Sequence, residues 1–264
     1  MTSSLLIGAT GFVGGNLAAQ HEFTATANSR TIADAYGKAF DLVVCAAPQA
    51  QKWWANQNPA EDLAGIERLV ASLRQIQARR FLLLSTIDVF PRVAPFDGHS
   101  VDETLDCTAF DNHPYGRHRL MLEETVRGLY GETCILRLPA LFGPGLKKNA
   151  LFDLINDNNL HLIHPDSRYQ WYDLSRLWGD IGAALAAGIG LAVLATEPIR
   201  TGAIRDRFFP GKAMGEKASA SPALYDVRTI HAGIFGGADG YIESARSMLE
   251  RIGAFVAHEP RSLP

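Results

Sequence analysis

Gly8-Ala9-Thr10-Gly11-Phe12-Val13-Gly14 is the stretch whose reading decides the fold. It follows a short apolar run, Leu5-Leu6-Ile7, and leads into Asn16-Leu17-Ala18-Ala19, which can continue as a helix. Glycines at this spacing permit a tight turn. They also let a pyrophosphate approach the backbone, where the open N–H groups of a helix N-terminus favour an anion. The turn predicts a strand–loop–helix unit that holds a dinucleotide, with Gly8, Thr10, Gly11, Phe12, Val13 and Gly14 around its phosphates.

The rest of the chain repeats the alternation. Strands are predicted over 23–27, 41–45, 81–84, 133–136 and 191–195, and helices over 62–77, 114–129 and 174–187. Asp41-Leu42-Val43-Val44-Cys45 is continuously apolar after its first residue, as in a strand buried on both faces. Leu63, Ile66, Leu69, Val70 and Leu73 recur at helical spacing. Alternating strands and helices predict an α/β protein with a Rossmann-type, doubly wound parallel sheet. The division expected is a dinucleotide-binding core over 1–143 and a mixed segment over 144–264 that completes the sheet and forms a small C-terminal substrate lobe. Residues 143–170 and 197–240, rich in Gly, Pro and aromatics, are expected to be irregular. The spacing between the second and third strands leaves little room for another strand.

Composition excludes several classes. The 264 residues are 47% hydrophobic and 20% charged, with a net charge of −3, so neither disorder nor a nucleic-acid footprint is indicated. Cys45, Cys107 and Cys134 are odd in number and lack CxxC spacing, which argues against a disulfide framework or a zinc site. His113 and His118 have no ligand spacing to other histidines, and no metal is expected. The first residues carry no basic leader, and the apolar run from Ile181 to Ala195 is shorter than the roughly 20 residues a span requires. A cytoplasmic protein with a small-molecule partner, and no membrane or nucleic-acid partner, is the expectation.

In sum the motifs resemble those of the extended short-chain dehydrogenase/reductases, the family of NAD(P)-dependent nucleotide-sugar epimerases, dehydratases and reductases. GATGFVG is similar to that family's fingerprint, and later segments follow in order over about residues 5–200. Asp41 to Ala47 resembles the strand before the nicotinamide-proximal loop, and Gly65, Leu69 and Val70 the helix after it. Leu84-Ser85-Thr86 resembles the strand bearing a catalytic hydroxyl, and Pro114-Tyr115-Gly116-Arg117 the helix of a catalytic tyrosine. Arg137-Leu138-Pro139-Ala140-Leu141-Phe142-Gly143-Pro144-Gly145 is similar to the family's RxxxxYGPG segment.

The resemblance implies roles. Tyr115 would be the general acid/base and Thr86 would share the substrate hydrogen bond. Arg119, where the family has lysine, would lower the tyrosine pKa and hold the nicotinamide ribose; Tyr115 and Arg119 stand at i and i+4 on one helix face. Ala46, Ala47, Ser85, Leu138 and Pro139 would line the cofactor with Tyr115 and Arg119. At the end of the second strand, Asn28-Ser29-Arg30 offers a guanidinium where an NAD site would carry an acid, which favours NADP over NAD.

Other residues keep two readings. Asp88 stands where sugar dehydratases carry a glutamate base; alternatively it ends its strand and bonds its own loop. Asp62, where the family has asparagine, serves as a helix N-cap in its plainer reading. Lys147, Lys148, Asn149, Arg168 and Arg176 are implied near a substrate diphosphate, or are solvated surface charge. Trp53 and Trp54 stack on a ring or pack. The resemblance also implies pairing of two copies through the tyrosine helix and the one before it. The function expected is hydride transfer on a nucleotide sugar or related hydroxyl/carbonyl substrate. The alternative is a catalytically reduced NADP-binding sensor or regulatory module.

Overall fold

In the computed structural model, which describes residues 3–48, 50–91, 101–219 and 221–258, the four residues of β1 (Ser4–Ile7) are all buried. The glycine turn follows and opens α1 (Phe12–Gln20). Next come β2 (Ala25–Ala27), β3 (Ala39–Cys45), the short α2 (Lys52–Gln57), α3 (Pro59–Leu73) and β4 (Gln77–Thr86). The middle of the chain forms α4 (Pro114–Leu129), β5 (Glu132–Leu138), β6 (Ala140–Phe142) and α5 (Ala150–Asn156). It continues as β7 (Arg168–Tyr169), β8 (Trp171–Asp173), α6 (Leu177–Ala186), β9 (Leu191–Val193), β10 (Ile199–Arg200), α7 (Thr201–Phe208) and α8 (Ala245–His258).

Six strands form one parallel sheet in the order β2-β1-β3-β4-β5-β9. Period-two alternation sorts their side chains onto two faces. Leu6, Val44, Leu82 and Leu136 share one core with Leu17 of α1 and with Ile181 and Ala184 of α6. Leu5, Val43, Phe81 and Ile135 face the other way, onto Ile66 and Leu73 of α3 and Leu122 and Val126 of α4. Helices thus cover both faces, the doubly wound arrangement, and each buried aliphatic side chain contributes about 1.5–3 kcal/mol. From β1 the chain turns first to β2 on one side and then crosses to β3 on the other. That reversal opens a crevice at the carboxyl ends of β1 and β3, where such sheets bind ligands. Between β2 and β3 lies only a 3-10 turn, Ile32–Ala35, as the short spacing implies.

Several boundaries differ from the sequence expectation. The helix expected over 62–77 runs from Pro59 to Leu73, because proline at its first turn starts it early. Gln77 already pairs with Ala39 in the sheet, so β4 begins there rather than at Phe81. The strand expected over 23–27 keeps only its last three residues; Phe23 packs edge-on to Trp178 instead. Residues 143–170 and 197–240 are less irregular than expected. The Asn149 side chain caps α5 by accepting from the amides of Leu151 and Phe152, and α7 buries Ile204. No element was expected after residue 240, yet α8 forms and buries Met248 and Ile252. α5, α7 and α8 share a third core with Phe142 and Trp171, set apart from the two faces of the sheet.

Candidate functional site

The glycine turn sits at the end of β1. Gly8 adopts φ +90°, a conformation that disfavours side chains, and a Cβ on Gly14 would lie 2.1 Å from the Gly8 carbonyl oxygen. The turn therefore closes only with hydrogen at both positions. No side chain caps the N-terminus of α1 at Gly11, so its first-turn N–H groups are open to an anion. Ala46 and Ala47 follow β3, with Ala46 N donating to the Ile7 carbonyl at 2.8 Å, and the Ala47–Pro48 peptide is cis. Leu138 and Pro139 lie at the end of β5. After β2, the Arg30 amide donates to Asn28 Oδ1 at 2.9 Å, and the Arg30 side chain is exposed with no ion pair among the described residues. These positions fit a dinucleotide: a cradle that excludes Cβ atoms, a helix terminus, and a free guanidinium at the edge strand.

Register then sets the chemistry. β4 and β5 pair Ser85 with Arg137 and Thr86 with Leu138. Ser85 shares the face of Phe81 and Leu83, toward α4, so its hydroxyl donates to Glu123 at 2.5 Å, and Glu123 pairs with Arg137 at 2.7 Å. Its hydroxyl, assigned by resemblance to the cofactor, is engaged in a buried ion pair.

Thr86, next along, terminates the strand. Its hydroxyl accepts from the Asp88 amide at 3.1 Å and favours ionisation of Tyr115. Tyr115 is 5% exposed, at the first turn of α4, and its amide donates to Asn56 of α2 at 3.0 Å. The guanidinium carbon of Arg119 lies 4.4 Å from the Tyr115 ring centroid, as the i, i+4 spacing requires. Burial nevertheless raises the Tyr115 pKa above its ordinary value: desolvation outweighs Arg119, Thr86 and Lys52, and Asp88 adds to it. The lowering implied by resemblance is present as one contribution but does not prevail.

Asp62 is not a helix cap. It lies inside the first turn of α3, where Asn58 precedes Pro59, and both its oxygens bind Arg119, at 2.9 and 3.0 Å. His118 Nδ1 adds a contact at 2.8 Å. The two departures from the family pattern, Asp62 and Arg119, are therefore partners. Desolvation opposes the Asp62 charge, yet the bonds from Arg119 and His118 prevail and hold its pKa below the ordinary value. A depressed pKa adds stability that is complete above the unfolded value of about 3.9 and fades as pH falls through the folded one. Asp62→Asn should lower unfolding free energy at neutral pH by about 1–3 kcal/mol and should remove that acid-side fade. Urea titrations from neutral to acid pH check both, and an unchanged variant would mean that the pair contributes nothing.

Asp88 does not bond its own loop through its carboxylate. Oδ1 accepts from Lys52 Nζ at 2.6 Å and from Tyr225 Oη at 3.1 Å. Lys52, Asn56 and Tyr225 were missed by sequence reasoning. Lys52 and Asn56 stand at i and i+4 on α2, a spacing that was legible; no local signal marks Tyr225. Of the cations expected near a diphosphate, Arg176 binds Asp180 and Glu243, and Lys148 donates to the Ala50 carbonyl. Lys147 and Arg168 are exposed, whereas Asn149 caps α5. Trp53 is 62% exposed beside Lys52. A separate cleft of about 320 Å³ lies among Asp153, His164, Ser167, Tyr169 and Pro222, away from the glycine turn. Cys45, Cys107 and Cys134 are free and buried, and burial pushes Cys45 and Cys134 up to about 12. Among the described residues no helix is long and apolar enough to cross a membrane, and no cluster of three His, Cys, Asp or Glu suits a metal.

Comparison with known proteins agrees with this fold. The pattern of the NAD dependent epimerase/dehydratase family matches residues 4–174, more than half of the chain. No curated protein matches the chain. Among solved structures, UDP-glucose 4-epimerase from Thermus thermophilus in complex with NAD is similar at 16% identity and TM-score 0.73, covering 97% of this chain and 98% of that one. RMD from Pseudomonas aeruginosa, complexed with NADPH, aligns at 17% identity and TM-score 0.71, over 97% and 98% of the two chains. A dTDP-4-dehydrorhamnose reductase from Yersinia enterocolitica gives 16% and 0.68, over 97% and 99%. At such identities the likeness speaks for the fold.

Proposed function

This chain belongs to the NAD dependent epimerase/dehydratase family, and from that membership we propose that it is an NADP-preferring oxidoreductase acting on a nucleotide sugar or related hydroxyl/carbonyl compound. The observation that carries the proposal is Tyr115, buried at the start of α4 with the Arg119 guanidinium carbon 4.4 Å from its ring centroid and Thr86 ending the neighbouring strand, at the same carboxyl edge of the sheet as the glycine turn. When bound, the nicotinamide supplies the hydride donor or acceptor. Tyr115 passes the proton to or from the substrate oxygen, and Thr86 holds that oxygen. Arg119 stacks under the tyrosine ring and keeps it in place. The raised Tyr115 pKa leaves the phenol protonated at neutral pH, which suits donation to a carbonyl, the reductive direction. The segment after residue 143 contributes β9 and the covering helix α6 to the sheet, and α5, α7 and α8 form the third core, which we assign as the substrate lobe; the exposed Lys147 and Arg168 suit an anionic diphosphate.

One observation favours a second reading, a cofactor-binding module with little turnover: Asp62 takes both arms of Arg119 and offsets its charge.

Titrating cofactor-free protein with NADP and NAD tests the first reading. NADP is expected to bind more tightly, and Arg30→Ala to weaken NADP about 10-fold while leaving NAD unchanged. Binding of NAD alone would remove Arg30 from the site, and binding of neither would end the proposal. A screen of nucleotide sugars for change in nicotinamide absorbance then decides between turnover and binding.

A further inference from the structure

The cleft of about 320 Å³ in the C-terminal part is walled by Asp153 of α5, Leu162, His164, Ser167, Tyr169 of β7 and Pro222. It has room for a small organic group. A run of contacts joins it to the proton-transfer site. The Tyr169 ring packs on Tyr225 with centroids 5.6 Å apart. Tyr225 Oη donates to Asp88 Oδ1 at 3.1 Å, and the Asp88 amide donates to the Thr86 hydroxyl at 3.1 Å. Among the described residues no lysine or arginine lines the cleft, whereas Lys52 stands at the Asp88 end of that run, bonded to Asp88 and Tyr225. The cleft therefore suits the uncharged end of a nucleotide sugar, and the diphosphate belongs nearer the lysine. Bonds already made inside the cleft leave a distinct pattern of groups. The Ser167 hydroxyl accepts from the Ala223 amide at 3.0 Å, and that of Ser219 donates to the Ser221 carbonyl at 2.7 Å. His164 Nδ1 accepts from the Asp166 amide at 3.1 Å, which leaves Nε2 as a donor. Asp153 Oδ1 accepts from Asn158 Nδ2 at 2.6 Å, while among the described residues Oδ2 accepts no hydrogen bond, and the neighbouring Lys212 pairs with Asp157 instead. Burial without a cation raises the Asp153 pKa above its ordinary value, a cost that donors on a ligand would offset.

We propose that this cleft takes the base of a guanine nucleotide and that Asp153 is the residue that selects it. The proposal rests on the oxidoreductase reading above and narrows its substrate to a guanosine-diphosphate sugar. Guanine presents two adjacent donors, N1–H and the 2-amino group, which one carboxylate accepts as a pair. Its O6, next to N1, is an acceptor for His164 Nε2. Uracil and thymine set a carbonyl on each side of their single N–H, and Asp153 repels both oxygens. Adenine and cytosine offer one amino group beside an acceptor nitrogen, so they satisfy only one arm of the carboxylate. The ring of Tyr169 and the apolar walls of Leu162 and Pro222 suit a flat ring of any base. Selection therefore falls to the acid.

The test is a calorimetric titration of the full chain with GDP, inosine diphosphate and UDP as probes, at saturating NADP so that the glycine turn is filled. GDP is expected to bind about 10- to 100-fold more tightly than UDP. Inosine diphosphate, which lacks only the 2-amino group, should bind about 10-fold more weakly than GDP. Asp153→Asn should weaken GDP by about 10- to 100-fold and leave UDP within about 2-fold. The Asp153 side chain is half-buried and among the described residues bonds only Asn158, so the variant is expected to fold; thermal unfolding confirms it. Equal binding of GDP and UDP, or of GDP and inosine diphosphate, overturns the proposal. So does tighter binding of UDP, or an equal loss of GDP and UDP in Asp153→Asn. A titration with NADP alone separates the two readings. NADP bound with no nucleoside diphosphate ends this inference and leaves the oxidoreductase standing. GDP bound through Asp153 by a chain that binds no NADP ends the oxidoreductase and leaves the base selection standing, whereas absence of both ends both.

Discussion

Replacing Tyr115 with phenylalanine is expected to cut turnover about 10²- to 10⁴-fold, the range lost when a positioned acid/base group is removed. Affinity for the nicotinamide dinucleotides should stay close to that of the unaltered protein. The separation follows from geometry. Phenylalanine keeps the ring over which Arg119 stacks at 4.4 Å, and it keeps the backbone amide that Asn56 anchors at 3.0 Å. The substitution deletes only the hydroxyl of a buried side chain, which changes stability by about 1 kcal/mol or less. The glycine turn and Arg30 lie elsewhere along the sheet edge and are untouched. Steady-state rates on a nucleotide sugar that the unaltered protein turns over, with a cofactor titration of both forms, check the prediction. Unchanged turnover in the variant would remove Tyr115 from the chemistry. If the unaltered protein binds cofactor yet turns over no substrate, the binding-module reading replaces the enzyme.

Replacing Arg137 with methionine is expected to destabilise the fold by about 3–5 kcal/mol, because it strands a buried carboxylate. Glu123 is fully buried and Arg137 is 2% exposed, and among the described residues Glu123 accepts, besides this pair, only from the Ser85 hydroxyl. Desolvation disfavours the guanidinium charge, but Glu123 more than offsets it and raises the Arg137 pKa. For a chain of this size such a loss lowers the melting temperature by roughly 6–20 °C. Removing both charges, with Arg137→Met and Glu123→Leu together, should recover most of the loss, since an apolar pair of similar volume avoids the desolvation cost. Calorimetry of the single and double variants tests this. Equal destabilisation in both would mean that packing of Arg137 on the Phe90 ring, 4.8 Å away, sets the stability instead.

Much of this protein was legible in its sequence because the deciding signals are local. The turn Gly8–Gly14 announces a strand, a loop and a helix, and the structure needs hydrogen at Gly8 and Gly14 because of backbone torsion and close approach. The apolar runs ending at Cys45, Leu84 and Leu136 read as buried strands and lie side by side in the sheet. The missing strand after β2 was visible as a lack of residues. Tyr115 and Arg119 meet because helix geometry brings i and i+4 together, whatever surrounds them.

Tertiary structure decided what depends on partners distant in the chain. Asp62 reads as an N-cap until α3 and α4 pack and set it against Arg119, 57 positions away. Ser85 reads as a cofactor contact until the strand's alternation, combined with the side on which α4 packs, aims its hydroxyl at Glu123. Asp88 kept two readings until Lys52 and Tyr225, 36 and 137 positions away, were seen on a single oxygen. Local pattern determines which face and which element a residue occupies, because those follow from backbone periodicity. A side chain's charge state and hydrogen bonds are set by whatever the fold brings against it, and in this protein those groups lie tens of residues away.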